Sequence, residues 1–264
     1  MLLLFIGYLV LGAFAGVLAG LFGVGGGLVI VPVLVVTFQF QGMVPEVLTH
    51  VAVATSLATI VITSISSISA HHKRGAVRWR LFRFIGLGVA FGSALGVVTA
   101  IELEGKVIQL AIGVFALYVA VMMGLDVVPK GGGKPSRPGL VVSGGFIGWV
   151  SAIFGIGGGT LTVPYLNWKQ VSMQEAVATS AACGFPIAVA GAVTNALMGQ
   201  GNSNLDEWSL GYIYLPALLG ISLTSYGFAK FGAKLAHSMS PTMLRRAFSV
   251  FLLLVAGKFI LSNI

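Results

Sequence analysis

The sequence predicts an all-α polytopic membrane protein built from two inverted repeats, each of about four apolar segments with a broken or re-entrant glycine-rich element. Three observations predict it: an extreme apolar composition, a glycine motif that occurs twice, and charges that change sides between the halves. Only 8% of the 264 residues are charged, mean hydropathy is +1.00, and no Asp, Glu, Lys, Arg or His precedes Glu46. A soluble chain of this length needs far more charge to cover its surface.

Apolar stretches long enough to cross hydrocarbon, roughly 20 residues each and uncharged but for Lys258, run over 2–40, 51–70, 84–101, 107–125, 139–168, 176–201, 208–229 and 247–264. The first lacks the basic start and small-residue cleavage site of a secretory signal, so it reads as retained structure. A single cysteine, Cys183, excludes an internal disulfide and a cysteine-built metal site. Nothing in the pattern calls for a cofactor.

The doubled motif is Gly23-Val24-Gly25-Gly26-Gly27 before Pro32, and Gly155-Ile156-Gly157-Gly158-Gly159 before Pro164, half a chain length apart. Further on, Ala52-Val53-Ala54-Thr55-Ser56 matches Ala176-Val177-Ala178-Thr179-Ser180, and Ala111-Ile112-Gly113-Val114-Phe115 lines up with Ala247-Phe248-Ser249-Val250-Phe251. These matches divide the chain into a first repeat (1–128), a linker (129–139) and a second repeat (140–264). The linker is rich in Gly, Pro and Lys, the composition of a solvated connector. Its Gly131 to Gly133 lack the flanking strand and the Gly-Lys-Ser/Thr ending of a phosphate loop.

Charge placement gives the sidedness. Lys73, Arg74, Arg78, Arg80 and Arg83 cluster after the first Ala-Thr-Ser segment, Lys130, Lys134 and Arg137 in the linker, and Lys230, Lys234, Arg245 and Arg246 late in the second half. The connections at 102–106 and 202–207 are acidic or mixed. The positive-inside rule places the basic connections, linker included, in the cytoplasm. This leaves no basic soluble domain for nucleic acid, in spite of the net charge of +8. Equivalent loops carry opposite bias: His71 to Arg74 faces Asp206 and Glu207, and Glu102 to Lys106 faces the Lys230 cluster. Two such halves are inverted, which requires an odd number of crossings in each and puts both termini outside. Four apolar segments give an odd number only if one is broken or re-entrant, and the glycine motif is the first candidate.

With its two halves opening on Gly-x-Gly-Gly-Gly…Pro and continuing to Ala-x-Ala-Thr-Ser, nearly the whole chain resembles the sulfite exporter TauE/SafE family, also called the toluene sulfonate uptake permease family. The resemblance implies secondary transport of small sulfur-containing anions, such as sulfite or organosulfonates, across the bacterial inner membrane. Both exporters and importers belong to the family; export by alternating access is the expectation here. The partners are then a small anion and the lipid bilayer. An anion channel, or a membrane-embedded enzyme or assembly factor, are the alternatives. An enzyme would be expected to show a buried metal or nucleophile constellation, and the sequence offers none.

The residues themselves fit an anion site. Glycine amides at the start of a half-helix converge on an oxyanion without a buried counter-charge, and the absence of Cβ at Gly25, Gly26, Gly27, Gly157, Gly158 and Gly159 permits close approach. Close helix packing through small residues is the competing use. Thr55, Ser56, Thr179 and Ser180 offer paired hydroxyls, which either face the ligand or bond within their own helices. Thr160 is one-sided, because Leu28 stands in its place in the first half. Asn195 is either a pathway group or a helix-to-helix hydrogen bond. Lys258, inside the last apolar segment, either attracts anions or snorkels to an interface. No carboxylate lies deep in a segment, so coupling would have to use Glu46, His50 or Glu175 at segment edges, or sodium held by carbonyls of the broken segments.

Overall fold

The computed structural model describes residues 2–22, 26–124, 133, 136–236 and 241–263. Among these residues the chain forms ten helices and one short β-hairpin. The first half contains α1 (Leu2–Phe22), α2 (Gly27–Phe40), α3 (Pro45–Lys73), α4 (Trp79–Ile101) and α5 (Gly105–Gly124). The second contains α6 (Arg137–Ile153), α7 (Gly159–Trp168), α8 (Met173–Met198), the strands β1 (Ser209–Leu210) and β2 (Ile213–Tyr214), α9 (Leu215–Ala236) and α10 (Pro241–Leu261). Most of the 129–139 linker lies outside the described residues.

The expected four segments per half are thus five helices, because the apolar runs 2–40 and 139–168 each fold as two. The glycine motifs are where they divide. Gly26 sits at the N-cap of α2 with φ 77°, and Gly155, ahead of α7, has φ 64°. Both are left-handed conformations that turn the chain and favour glycine. Each pair of helices then folds back on itself. The Gln41 amide after α2 donates to the Tyr8 hydroxyl early in α1, and the Tyr165 hydroxyl on α7 donates to the Gly139 carbonyl at the start of α6, 3.4 Å away. Pro32 and Pro164, inside α2 and α7, lack an N–H and so cannot donate to the carbonyls of Leu28 and Thr160 beside the glycine tips.

The run 208–229 also differs from a continuous segment. It opens as the β1–β2 hairpin, turned by Gly211 at φ 56° and preceded by side-chain turns in which the Asn202 and Asp206 carboxamide and carboxylate oxygens accept from the Asn204 and Trp208 amides. Lys230 and Lys234 consequently fall inside α9 rather than beyond it.

The halves are interleaved. α4 packs along α6 and α1 along α9, so the fourth helix of each half lies on the first helix of the other; α3 meets α8 and α5 meets α10. Glycines permit these approaches: a carbon added at Gly144 would lie 2.6 Å from the Ile85 carbonyl, and one at Gly16 2.7 Å from Ser225 Cα. The centre belongs to α3 and α8, where Thr55, Ser56, Ala178, Thr179 and Ser180 are fully buried. The outer helices present Leu87, Phe91, Val114, Tyr118, Leu223 and Leu254 outward, an apolar belt suited to lipid. Four helices, Pro45–Lys73, Trp79–Ile101, Gly105–Met122 and Gln174–Met198, are long and apolar enough to cross a membrane. Pro45 at the first turn of α3, and Ser136 and Ser172 accepting from the Gly139 and Glu175 amides at the starts of α6 and α8, fix where three helices begin.

Candidate anion site

The two helical hairpins bring their glycine tips together. A carbon added at Gly27 would lie 2.5 Å from the Gly155 carbonyl and 2.7 Å from Ile156 Cα, so at this point the two repeats approach backbone to backbone. The Ser56 hydroxyl on α3 donates to that same Gly155 carbonyl at 2.8 Å. With a rise of 1.5 Å per residue, α3 is about 44 Å long and Ser56 lies about 16 Å from its start. The tips therefore meet deep between the ends of α3.

Beside them is a pocket of about 100 Å³ lined by Ile60, Thr63, Ser64, Ser66, Ser67 and His71 of α3 and Arg74 at its C-cap, the second glycine tip Gly157 to Gly159, Ser180, Ala181 and Gly184 of α8, Ala19 of α1, and Ala229 and Lys230 of α9. Three features suit an anion. The pocket receives the N-terminus of α7, whose first amides have no carbonyl one turn back and carry the positive end of the helix dipole. Ser180 lines it, and its fully buried hydroxyl has no hydrogen-bond partner among the described residues. The ionisable lining groups are His71, Arg74 and Lys230, with no carboxylate among them. The buried hydroxyls of Ser151, Thr160 and Thr162 on the same hairpin also lack partners among the described residues. A buried hydroxyl without a partner is costly; of these four residues, Ser180 lines the pocket.

The remaining sequence candidates take other places. Gly157, Gly158, Gly159 and Ser180 line the pocket, and Thr160 follows in the first turn of α7. Gly26 and Gly27 form the opposing tip but do not line the pocket, and Gly25 lies outside the described residues. Ser56 ties the tips together. The Thr55 and Thr179 hydroxyls accept from the Tyr214 and Arg78 amides, each at 3.0 Å, so each fixes the chain entering the fourth helix of one half to the third helix of the other half. Asn195, buried late in α8, donates its side chain to the Gly191 carbonyl at 2.8 Å. His50 places Nε2 3.1 Å from the carbonyls of both Ala100 and Leu103 and stacks near Tyr212; carbonyls only accept, so Nε2 carries the proton. Glu175 pairs with Arg78 at 2.7 Å, and Glu46 is exposed in the first turn of α3. Lys258 is exposed in the last turn of α10, outside the pocket.

The two ends of the central space differ. The pocket lies at the end that carries His71, Arg74 and Lys230. The other is filled by Tyr8, Phe38 and Tyr214, with ring centroids of Tyr8 and Phe38 6.3 and 5.6 Å from Tyr214, held by the Thr55 hydrogen bond.

Sequence reasoning did not single out Ser64, Ser67, Arg74, Gly184 or Lys230 as lining this pocket. A signal was present: Ile60, Ser64, Ser67, His71 and Arg74 recur at intervals of three and four, which puts them on one face of α3.

The similarities of the chain agree with this architecture. Its sequence is 37% identical over 250 residues to a "Probable membrane transporter protein" of Haemophilus influenzae, covering 94% of this chain and 95% of the relative. It is 29% identical to proteins of the same description from Methanocaldococcus jannaschii (90% of this chain, 88% of the relative) and Bacillus subtilis (98% of each). No solved structure matches it. The profile described as "Sulfite exporter TauE/SafE" matches residues 8–259, the span that runs from Tyr8, at the base of the first glycine hairpin, to Phe259 on the last helix. This multi-pass membrane transporter belongs to the sulfite exporter TauE/SafE family.

Proposed function

We propose that the protein is a secondary transporter that exports small sulfur-containing oxyanions, sulfite or an organosulfonate, across the bacterial inner membrane by alternating access. The observation that carries the reading is the pocket at the N-terminus of α7, lined by the second glycine tip, by Ser180, whose hydroxyl has no partner among the described residues, and by Arg74 and Lys230. Such a site holds an anionic group by amides, hydroxyls and nearby positive charge. The halves act as inverted repeats: each glycine hairpin enters and leaves on one side, α3 to α5 and α8 to α10 cross, and the termini lie outside with residues 129–139 in the cytoplasm. In that orientation the pocket is open to the cytoplasm and the Tyr8, Phe38 and Tyr214 cluster closes the outer side, the arrangement in which an exporter loads. Reciprocal rocking of the hairpins about the Gly27 to Gly155 contact would transfer access.

The test is flux in proteoliposomes holding wild type or Gly158→Val. A carbon at Gly158 already meets the Gly184 nitrogen, the Ser180 carbonyl and Ile187 at 3.3 Å, so the branched side chain fills the approach to the amides. Wild type should move sulfite or a sulfonate and not chloride, and the variant should move neither. Equal flux of all anions through wild type would refute the reading.

A further inference from the structure

We propose that Arg83 and Arg137 form a site for the phosphate of an anionic phospholipid on the rim of the bundle, separate from the pocket at the α7 tip. The two guanidiniums come from different helices and meet on one ring. That of Arg83, near the start of α4, lies 4.7 Å from the centroid of Phe84, and that of Arg137, the first residue of α6, lies 5.7 Å from it. Helix packing brings them together. Carbons added at Gly88, Gly92 and Gly96 of α4 would collide with the carbonyls of Val141, Gly145 and Trp149 of α6. Both series advance in steps of four, so the two helices run parallel in backbone contact and begin at the same end.

Two like charges on one ring repel each other, and an anion shared between them reverses the sign of that interaction. Among the described residues the ion pair at this end joins Arg78 to Glu175, and neither Arg83 nor Arg137 has a carboxylate partner. Both are exposed. Planar guanidinium donors match the oxygens of a phosphate, and the Phe84 face orients them without consuming their N–H groups.

The surface beyond the pair identifies the phosphate as a lipid's. Leu87 and Phe91 follow Arg83 at intervals of four on α4, and Val141 follows Arg137 by four on α6, so they continue the same helix faces. All three are exposed. Cations at the end of an exposed apolar strip fit a phosphate that carries acyl chains, whereas a soluble phosphate gains nothing from the strip.

The experiment titrates phosphatidylglycerol or phosphatidylcholine into protein purified in a neutral detergent and measures the Kd of the first bound lipid by native mass spectrometry. Wild type is compared with Arg83→Gln, Arg137→Gln and Lys73→Gln. All three side chains are exposed, so the variants should fold, and their unfolding midpoints check that they do. Phosphatidylcholine carries a phosphate together with its own cation, so wild type should prefer phosphatidylglycerol. Each arginine variant should weaken phosphatidylglycerol binding about fivefold and leave phosphatidylcholine binding unchanged. Lys73→Gln removes the same charge from the end of α3 and should change neither. A loss in Lys73→Gln as large as in the arginine variants would reduce the effect to diffuse surface charge and overturn the site, as would a wild type without lipid preference or unchanged binding in both arginine variants. Inorganic phosphate at millimolar concentration should leave the first phosphatidylglycerol in place; its displacement would assign the arginine pair to a soluble anion instead.

Discussion

Ser56 and Ser180 occupy the same place in the two repeats, yet substitution to Ala should act on them in opposite directions. Ser56 donates to the Gly155 carbonyl at 2.8 Å in a fully buried setting. Ser56→Ala orphans that carbonyl and should cost about 1–3 kcal/mol of stability. The Ser180 hydroxyl is just as buried but has no partner among the described residues. Ser180→Ala removes an unpaid desolvation cost, so the ligand-free protein should be as stable as wild type or more so. The loss should appear in binding: a hydrogen bond to a charged group contributes about 1.5–3 kcal/mol, roughly ten- to a hundredfold in Kd. The assay is thermal unfolding of purified protein with and without sulfite, because a ligand that binds only the folded state raises the midpoint in a concentration-dependent way. Ser56→Ala should unfold at lower temperature and Ser180→Ala should respond weakly to ligand. A Ser180→Ala protein that is destabilised like Ser56→Ala and still responds fully to sulfite would refute the assignment of Ser180 to the ligand.

Thr55→Val and Thr179→Val each leave an amide, of Tyr214 or Arg78, without its acceptor, so both should lower stability by about 1–3 kcal/mol while the Kd for sulfite stays within twofold or so of wild type; a large affinity loss in a stable variant would return these hydroxyls to the site. In a Cys183→Ser background, single cysteines at Lys73 and Asn202 should be labelled by an impermeant thiol reagent from opposite sides of the membrane, Lys73 from the cytoplasm. Labelling of both from one side would contradict the inverted arrangement.

Much of this architecture was legible because its signals are local. The two glycine motifs mark the chain turns, since Gly26 and Gly155 need left-handed backbone, and the matching Ala-Thr-Ser runs mark the central helices. Segment counting lost α2 and α7 because hydropathy does not register a turn inside an apolar run; among the described residues the turns show as the positive φ of Gly26 and Gly155. The 209–214 hairpin was hidden for a similar reason, its residues being apolar enough to read as helix. For the site, the second glycine tip and Ser180 were visible, but their partners were not. Thr55 and Ser56 are neighbours of identical chemistry, and which bonds an amide of the distant Tyr214 and which the Gly155 carbonyl depends on the packing of the halves. Lys230 sits on a different helix from Arg74, so no spacing along the chain connects them; only the fold places both on one pocket.

The account stands on where the anion sits, and selenite, a sulfite analogue with a heavy, anomalously scattering centre, can locate it directly in an experimental structure. A single selenium peak is expected in the pocket, with its oxygens within hydrogen-bond distance of the Ser180 hydroxyl and the amides at the start of α7. A peak at the first glycine tip or beside Lys258, or an empty pocket at a concentration that saturates transport, would contradict it.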